Sequence, residues 1–164
     1  MKKFDPSNAI NEYLVFGEFG DVNPSITDSS TFTFQNPGKM EELYNHETEG
    51  CFLYSRHWNP INKYLSNALS KMEDSESSQV TSSGMAAISS AIMEICSTGD
   101  EIISGRTIYG GTYALFKNFL PKLGINVKFI DIHDHKLIEN SITDKTKIIY
   151  AESISNPLAE VTDI

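Results

Sequence analysis

The chain has 164 residues, 40% of them hydrophobic and 21% charged, with a formal net charge of −9. That length holds one domain with a real core, the composition is unlike that of a disordered chain, and the acidity argues against a nucleic-acid partner, which needs a basic face. No run of about 18 apolar residues occurs, so no membrane span is expected. Cys51 and Cys96 form no C-x-x-C pair, so neither a disulfide framework nor a zinc knuckle is suggested and a reduced, cytoplasmic setting is expected. Met1-Lys2-Lys3 is followed by polar residues rather than an apolar stretch, so no signal peptide is read there.

In chain order, residues 8–16 read as a short helix with Ser7 or Asn8 as cap and Gly17 and Gly20 as stops. Residues 21–38 hold Pro24, Pro37, many Ser and Thr, and Phe32 and Phe34 in alternation. This predicts an extended arm lying on its own subunit or on a neighbour. A short helix is expected near 39–46, and Asn59-Pro60 opens another, with proline at the position where a helix tolerates it. Ile61, Tyr64, Leu65, Ala68, Leu69 and Met72 then recur at helical spacing and predict a buried stripe.

From Gln79 onward strands and helices alternate. Val80 is expected to begin a strand that feeds a helix over 84–96, with Ile88, Ala91, Ile92 and Ile95 as its buried face. A second strand follows Gly99, and residues 110–123 read as one helix carrying Leu115, Phe116, Phe119 and Leu120, with Pro121 near its end and Gly124 after it. Strands over 127–130 and 147–151 flank a short helix over 136–141. The resulting βαβαβαβ order demands a mainly parallel sheet with helices on both faces. Ligands of such sheets bind beyond the carboxyl ends of the strands, where Ser83-Gly84, Tyr109-Gly110-Gly111 and the stretch from Glu152 to Asn156 converge.

The turn Ser82-Ser83-Gly84-Met85 predicts an anion site. Backbone N–H groups at a helix start point outward and the helix dipole favours negative charge, so Ser83, Gly84 and Met85 can meet a phosphate without a basic side chain. A strand–Ser-Gly–helix turn is also an ordinary cap. Asp131, His133 and His135 alternate and would share a face if extended, as metal ligands do; a loop after a strand explains them equally well.

Taken together, Tyr54-Ser55-Arg56 with Asn59-Pro60, Ser82-Ser83-Gly84-Met85-Ala86-Ala87-Ile88, Tyr109-Gly110-Gly111-Thr112-Tyr113 and Glu152 through Asn156-Pro157 resemble the Cys/Met-metabolism family of pyridoxal-phosphate enzymes. That family includes cystathionine γ-synthase, cystathionine lyases, methionine γ-lyase and the O-acetylhomoserine sulfhydrylases. The resemblance implies an incomplete fold-type-I α/β large domain: residues 1–60 form a partner-contacting arm with short helices, and 61–164 the first part of the cofactor domain. It implies pyridoxal 5′-phosphate as cofactor, a sulfur amino acid as substrate, a C–S bond made or broken, and a homodimer or homotetramer.

By the same resemblance Ser83, Gly84 and Met85 hold the phosphate, Tyr109 stacks on the pyridine ring and serves acid–base chemistry, and Glu152 and Asn156 lie near the cofactor's 3-hydroxyl side and the substrate carboxylate. Tyr54 and Arg56 reach the phosphate of a neighbouring subunit, a task suited to arginine's planar fork. Three residues depart from the family pattern. Trp58 stands where a small residue is usual, Ile61 where threonine is common, and Gly111 where methionine γ-lyases typically carry cysteine, which speaks against that member. The family's Schiff-base lysine and its acidic partner to the pyridine nitrogen fall beyond Ile164, so the isolated chain is expected to be inactive. Lys147, the nearest Thr-Lys match, sits at a strand entrance. Two other readings stay open: a non-catalytic cofactor-binding or assembly module, and a generic nucleotide-phosphate binder using the Gly84 turn.

Overall fold

Two units divide the chain, Met1–Val80 and Thr81–Ile164. The computed structural model describes residues 4–13, 17, 19–34, 36–45 and 51–164. In the first unit, helix α1 (Pro6–Glu12) begins earlier than the expected 8–16 because Asp5, not Ser7 or Asn8, is its cap: the Asp5 carboxylate accepts from the Ser7 N–H at 2.9 Å and Pro6 takes the first turn. The helix ends at Tyr13, whose ring stacks on Tyr64 with centroids 5.5 Å apart. The expected continuation through Leu14, Val15 and Phe16 lies outside the described residues, as does His46, the last residue of the helix expected over 39–46; helix α2 spans Pro37–Asn45.

Helix α3 (Pro60–Glu73) forms as expected, with Asn59 accepting from the Ile61 N–H and Asp74 closing the helix at a φ of 51°. Its buried face is not the predicted stripe. Ala68 is buried, but Leu65, Leu69 and Met72 are well exposed, and the other buried positions are Ser66 and Ser70. The hydroxyls of Ser70 and Ser78 both donate to the Ser66 carbonyl, at 3.0 and 2.6 Å, so the serine side of the helix is closed over by residues 75–78. The arm runs along its own unit. Thr31 and Tyr54 form an antiparallel bridge, the Ser55 N–H donates to the Ser30 carbonyl, the Ser55 hydroxyl to the Ser29 carbonyl, and the Asn59 amide to the Thr27 carbonyl.

The second unit carries a three-stranded, wholly parallel sheet of β1 (Glu101–Gly105), β2 (Asn126–Ile130) and β3 (Thr146–Tyr150) in the order β2-β1-β3. Strand β1 is central. Ile102, Ile103 and Ser104 are fully buried, as a strand covered on both faces requires. The strand expected at Val80 is absent: one apolar residue followed by Thr81, Ser82 and Ser83 gives no buried run, and the Thr81 hydroxyl donates to the Ser83 carbonyl instead of serving a ladder. Helix α4 (Gly84–Ile95) follows, with Cys96 as its C-cap. Ile92 is buried and Ile88 packs on the core, but Ala91 and Ile95 are exposed; among the described elements α5 and β3 lie against this helix.

The single helix expected over 110–123 is three pieces: α5 (Gly110–Ala114), a π-helical turn (Leu115–Phe119) and a 3-10 turn (Leu120–Leu123). Pro121 explains the break. It has no N–H and its ring conflicts with the carbonyl four residues back, so the Leu120 N–H reaches five residues back to Leu115 and the chain tightens before Gly124 turns it at a φ of 75°. Helix α6 (His135–Ser141) links β2 to β3. The core gathers Ile92, Cys96, Ile102, Ile108, Phe116, Leu120 and Ile125, with Phe116 fully buried edge-on to Tyr150 at 5.0 Å. The Glu101 carboxylate, held below its ordinary range by hydrogen bonding to Lys128, pins the start of β1 to Lys128 at 2.8 Å and to Thr146 at 3.2 Å. Among the described residues no helix is long and apolar enough to cross a membrane.

Candidate active site

Ser83 is the cap of α4: its backbone is extended and its hydroxyl accepts from the Ala86 N–H at 3.1 Å. That leaves the N–H groups of Gly84 and Met85, which make no hydrogen bond among the described residues. A Cβ added at Gly84 would meet nothing within 4 Å. Two outward N–H groups at the positive end of a 12-residue helix are the donor set that a phosphate monoester needs.

Tyr109 precedes α5 and its side chain does not cap the helix. The ring instead lies over Gly111: a Cβ there would come 2.5 Å from Tyr109 Cε1 and 3.2 Å from Met85 Sδ. Gly111 is therefore the space in which the tyrosine ring and the helix start meet, and 49% of Tyr109 stays exposed. Thr112, fully buried, supports Met85 from behind, with Oγ1 3.9 Å from the sulfur. In the sequence, what marks Thr112 for burial is its place in the first turn of a helix that follows a buried strand. Burial pushes the Tyr150 phenol above its ordinary pKa, so it stays protonated beneath this floor.

Glu152, two residues past β3, accepts from the Tyr109 N–H at 2.8 Å through Oε1 and from the Asn156 N–H at 3.2 Å through Oε2. Met85, Tyr109, Glu152 and Asn156 thus form a connected set within the second unit, at the carboxyl side of β1 and β3. Tyr54 and Arg56 belong to the first unit, where the guanidinium lies 5.2 Å from the Tyr54 ring centroid and 3.4 Å from its hydroxyl. Arg56 is exposed, its fork open to an anion. Trp58 is covered by the Lys63 ammonium at 4.6 Å and lines a cleft of about 710 Å³ with Tyr13, Lys63 and Asn67. Lys147 is the second residue of β3, towards the amino end of the strand and away from this site.

The Asp131, His133 and His135 alternation does not survive as a shared face. Asp131 accepts from the His133 backbone N–H, and His135 starts α6; among the described residues no group of three His, Cys, Asp or Glu could hold a metal ion. The His133 ring has a different task. Nδ1 lies 3.2 Å from Asp131 Oδ1 and Nε2 lies 3.1 Å from the Val161 carbonyl. Both partners are acceptors, and only the doubly protonated ring donates to both. Accordingly the backbone bond to Val161 and the Asp131 carboxylate raise the His133 pKa above its ordinary 6.5, and the two bonds from His133 lower that of Asp131 below 3.8. Arg106 and Glu160 face the same cleft of about 190 Å³. The His133 share of the tether is complete below pH 6.5 and is lost as pH rises through the folded value. The Asp131 share is present above 3.8 and is lost as pH falls through its own. A proton NMR titration should find His133 titrating above 6.5, with protection of the Thr162 amide falling in step; titration at or below 6.5 contradicts this.

Residues 10–164 match the family described as Cys/Met metabolism PLP-dependent enzyme. The chain belongs to that family. Its relatives include the methionine gamma-lyase of Arabidopsis thaliana, 41% identical over 98% of this chain and 38% of that protein. Among solved structures, a Campylobacter jejuni protein reported as an O-acetylhomoserine (thiol)-lyase, with a pyridoxyl-lysine monophosphate, superposes at a TM-score of 0.88. It is 30% identical over 96% of this chain and 39% of its own. The cystathionine gamma-lyase of Lactobacillus plantarum, complexed with L-serine, superposes at 0.82 with 29% identity over 98% of this chain and 39% of its own. The chain therefore spans about two fifths of the length of these relatives, and the fold is that of fold-type-I PLP enzymes. Pyridoxal phosphate is the family's cofactor, and the free Gly84 and Met85 amides beside the half-exposed Tyr109 ring suit its phosphate and its flat ring.

Proposed function

We propose that this chain is the phosphate-anchoring and ring-stacking part of a PLP enzyme that makes or breaks a C–S bond of a sulfur amino acid or an activated homoserine. The observation that carries the reading is the meeting of Met85 and Tyr109 over Gly111, next to two unbonded helix-start amides. When bound, the cofactor supplies the electron sink for bond changes at Cβ or Cγ. The chain's residues do the rest of the work assigned to them. The Gly84 and Met85 amides hold the phosphate with Ser83 fixing the turn, and Tyr109 covers one ring face with its hydroxyl available for proton transfer. Asn156 orients a substrate carboxylate through its side-chain amide, without a change of charge. Tyr54 and Arg56 close on the phosphate of a neighbouring subunit, in a cytoplasmic dimer or tetramer whose partner-contacting arm is residues 1–60. None of the lysines near the site in sequence is assigned the covalent role.

Fluorescence titration with pyridoxal phosphate tests the assignment of Arg56. Loss of charge-assisted bonds to phosphate in Arg56→Ala should weaken binding on the order of tenfold or more, and Arg56→Lys, which keeps the charge but not the fork, should recover only part. Unchanged affinity in Arg56→Ala would remove Arg56 from the phosphate site. Saturable ATP or NAD binding that pyridoxal phosphate does not compete with would replace the proposal by a nucleotide-binding role.

A further inference from the structure

Glu152 stands out because both of its carboxylate oxygens are spent on backbone amides, one in another loop and one in its own. Oε1 takes the Tyr109 N–H, 43 residues away in sequence, and Oε2 takes the Asn156 N–H. Tyr109 is the residue before α5, where the side chain makes no cap and the backbone N–H has no helical partner. The loop from Ser153 to Thr162 is closed on itself by the Ser155 N–H to the Glu160 carbonyl and the Thr162 N–H to the Ser153 carbonyl. The Glu152 carboxylate ties it to the Tyr109 loop. A group so engaged has turned its acceptors towards the protein rather than towards a ligand.

We infer that Glu152 is a positioning residue: its carboxylate bridges the loops that follow β1 and β3 and thereby fixes the Tyr109 ring over Gly111 and Met85, with Asn156 at a set distance from it. This rests on the PLP reading for its consequence, not for its geometry. It moves Glu152 out of direct contact with the cofactor, where resemblance had put it. The bridge requires a carboxylate of this length. Glutamine offers one oxygen and turns an NH₂ towards the second amide, aspartate is one methylene short, and alanine removes both acceptors.

The test compares Glu152→Gln and Glu152→Ala with the unaltered protein by amide hydrogen exchange and by titration with pyridoxal phosphate. Loss of a hydrogen bond to a charged acceptor is expected to speed exchange at Tyr109 or Asn156 about tenfold in Glu152→Gln, and at both in Glu152→Ala. Exchange at Ala86, capped by Ser83, should stay unchanged. Affinity for pyridoxal phosphate should fall about tenfold in Glu152→Gln, and further in Glu152→Ala, as the ring loses its fixed place. If Glu152→Ala does not fold, Glu152→Gln decides alone. Unchanged exchange at Tyr109 and Asn156 would overturn the bridge. Faster exchange with unaltered affinity would overturn its positioning role. If the unaltered protein does not bind pyridoxal phosphate, the cofactor reading fails, while the exchange data still decide whether the bridge exists.

Discussion

Replacing Phe116 by alanine is expected to destabilise the second unit by about 3–5 kcal/mol, the range for emptying a fully buried aromatic site. Phe116 has no exposed surface, lies edge-on to Tyr150 at 5.0 Å and belongs to the cluster of Ile92, Ile102, Leu120 and Ile125. Its backbone lies in the π-helical turn that Pro121 imposes, so neighbouring residues have little freedom to collapse into the cavity. For a chain of this size the melting temperature should drop on the order of 10 °C. Ile95→Ala is the matched control: it removes a side chain that is 54% exposed, and should cost under about 1 kcal/mol. Equal losses from the two substitutions in chemical denaturation would mean that Phe116 does not centre the core.

The same core shows what was legible beforehand. Strand β1 reads directly from Ile102-Ile103 after a Gly-Asp turn, and α3 from Asn59-Pro60, because cap chemistry and β-branched runs are local. The burial of α3 did not, since Ser66 and Ser70 go inside only when Ser78 folds back to share the Ser66 carbonyl, a contact 12 residues away. No strand forms at Val80 because one apolar residue before a serine turn fits a strand–helix alternation without supplying a pairing partner. The expected single helix over 110–123 breaks because Pro121 disturbs the turn before it.

At the site, Ser83, Gly84 and Met85 were legible as a helix start. Tyr109 was legible as an aromatic just beyond a strand. The engagement of Glu152 with two amides was not, because it joins residues 43 apart whose loops meet only in the folded unit. The His133 tether was hidden for the same reason: one of its two acceptors is the carbonyl of Val161, 28 residues on, which no pattern of side chains announces.

The second large effect concerns the phosphate cradle. Gly84 is the first residue of α4, and Ser83 before it is extended, with φ −164° and ψ 161°. Both facts suit proline at position 84: a helix accepts it at the first position, and the preceding residue already has the backbone that proline demands. Gly84→Pro therefore deletes one of the two unbonded helix-start N–H groups proposed to hold the phosphate, while leaving the helix in place. Gly84→Ala keeps the N–H and adds a methyl group into open space, where nothing lies within 4 Å. Removing one hydrogen bond to a charged phosphate should cost about 1.5–3 kcal/mol of binding, roughly tenfold to a hundredfold in affinity.

The most direct measurement is a titration of the unaltered protein, Gly84→Ala and Gly84→Pro with pyridoxal phosphate and with pyridoxal, the same ring without the phosphate. The cradle predicts that the phosphate ester binds tightly to the unaltered protein and to Gly84→Ala, that Gly84→Pro loses tenfold or more of that affinity with its circular dichroism unchanged, and that pyridoxal binds all three equally weakly. Equal affinity of Gly84→Pro and Gly84→Ala for the phosphate ester would contradict a phosphate held on the start of this helix.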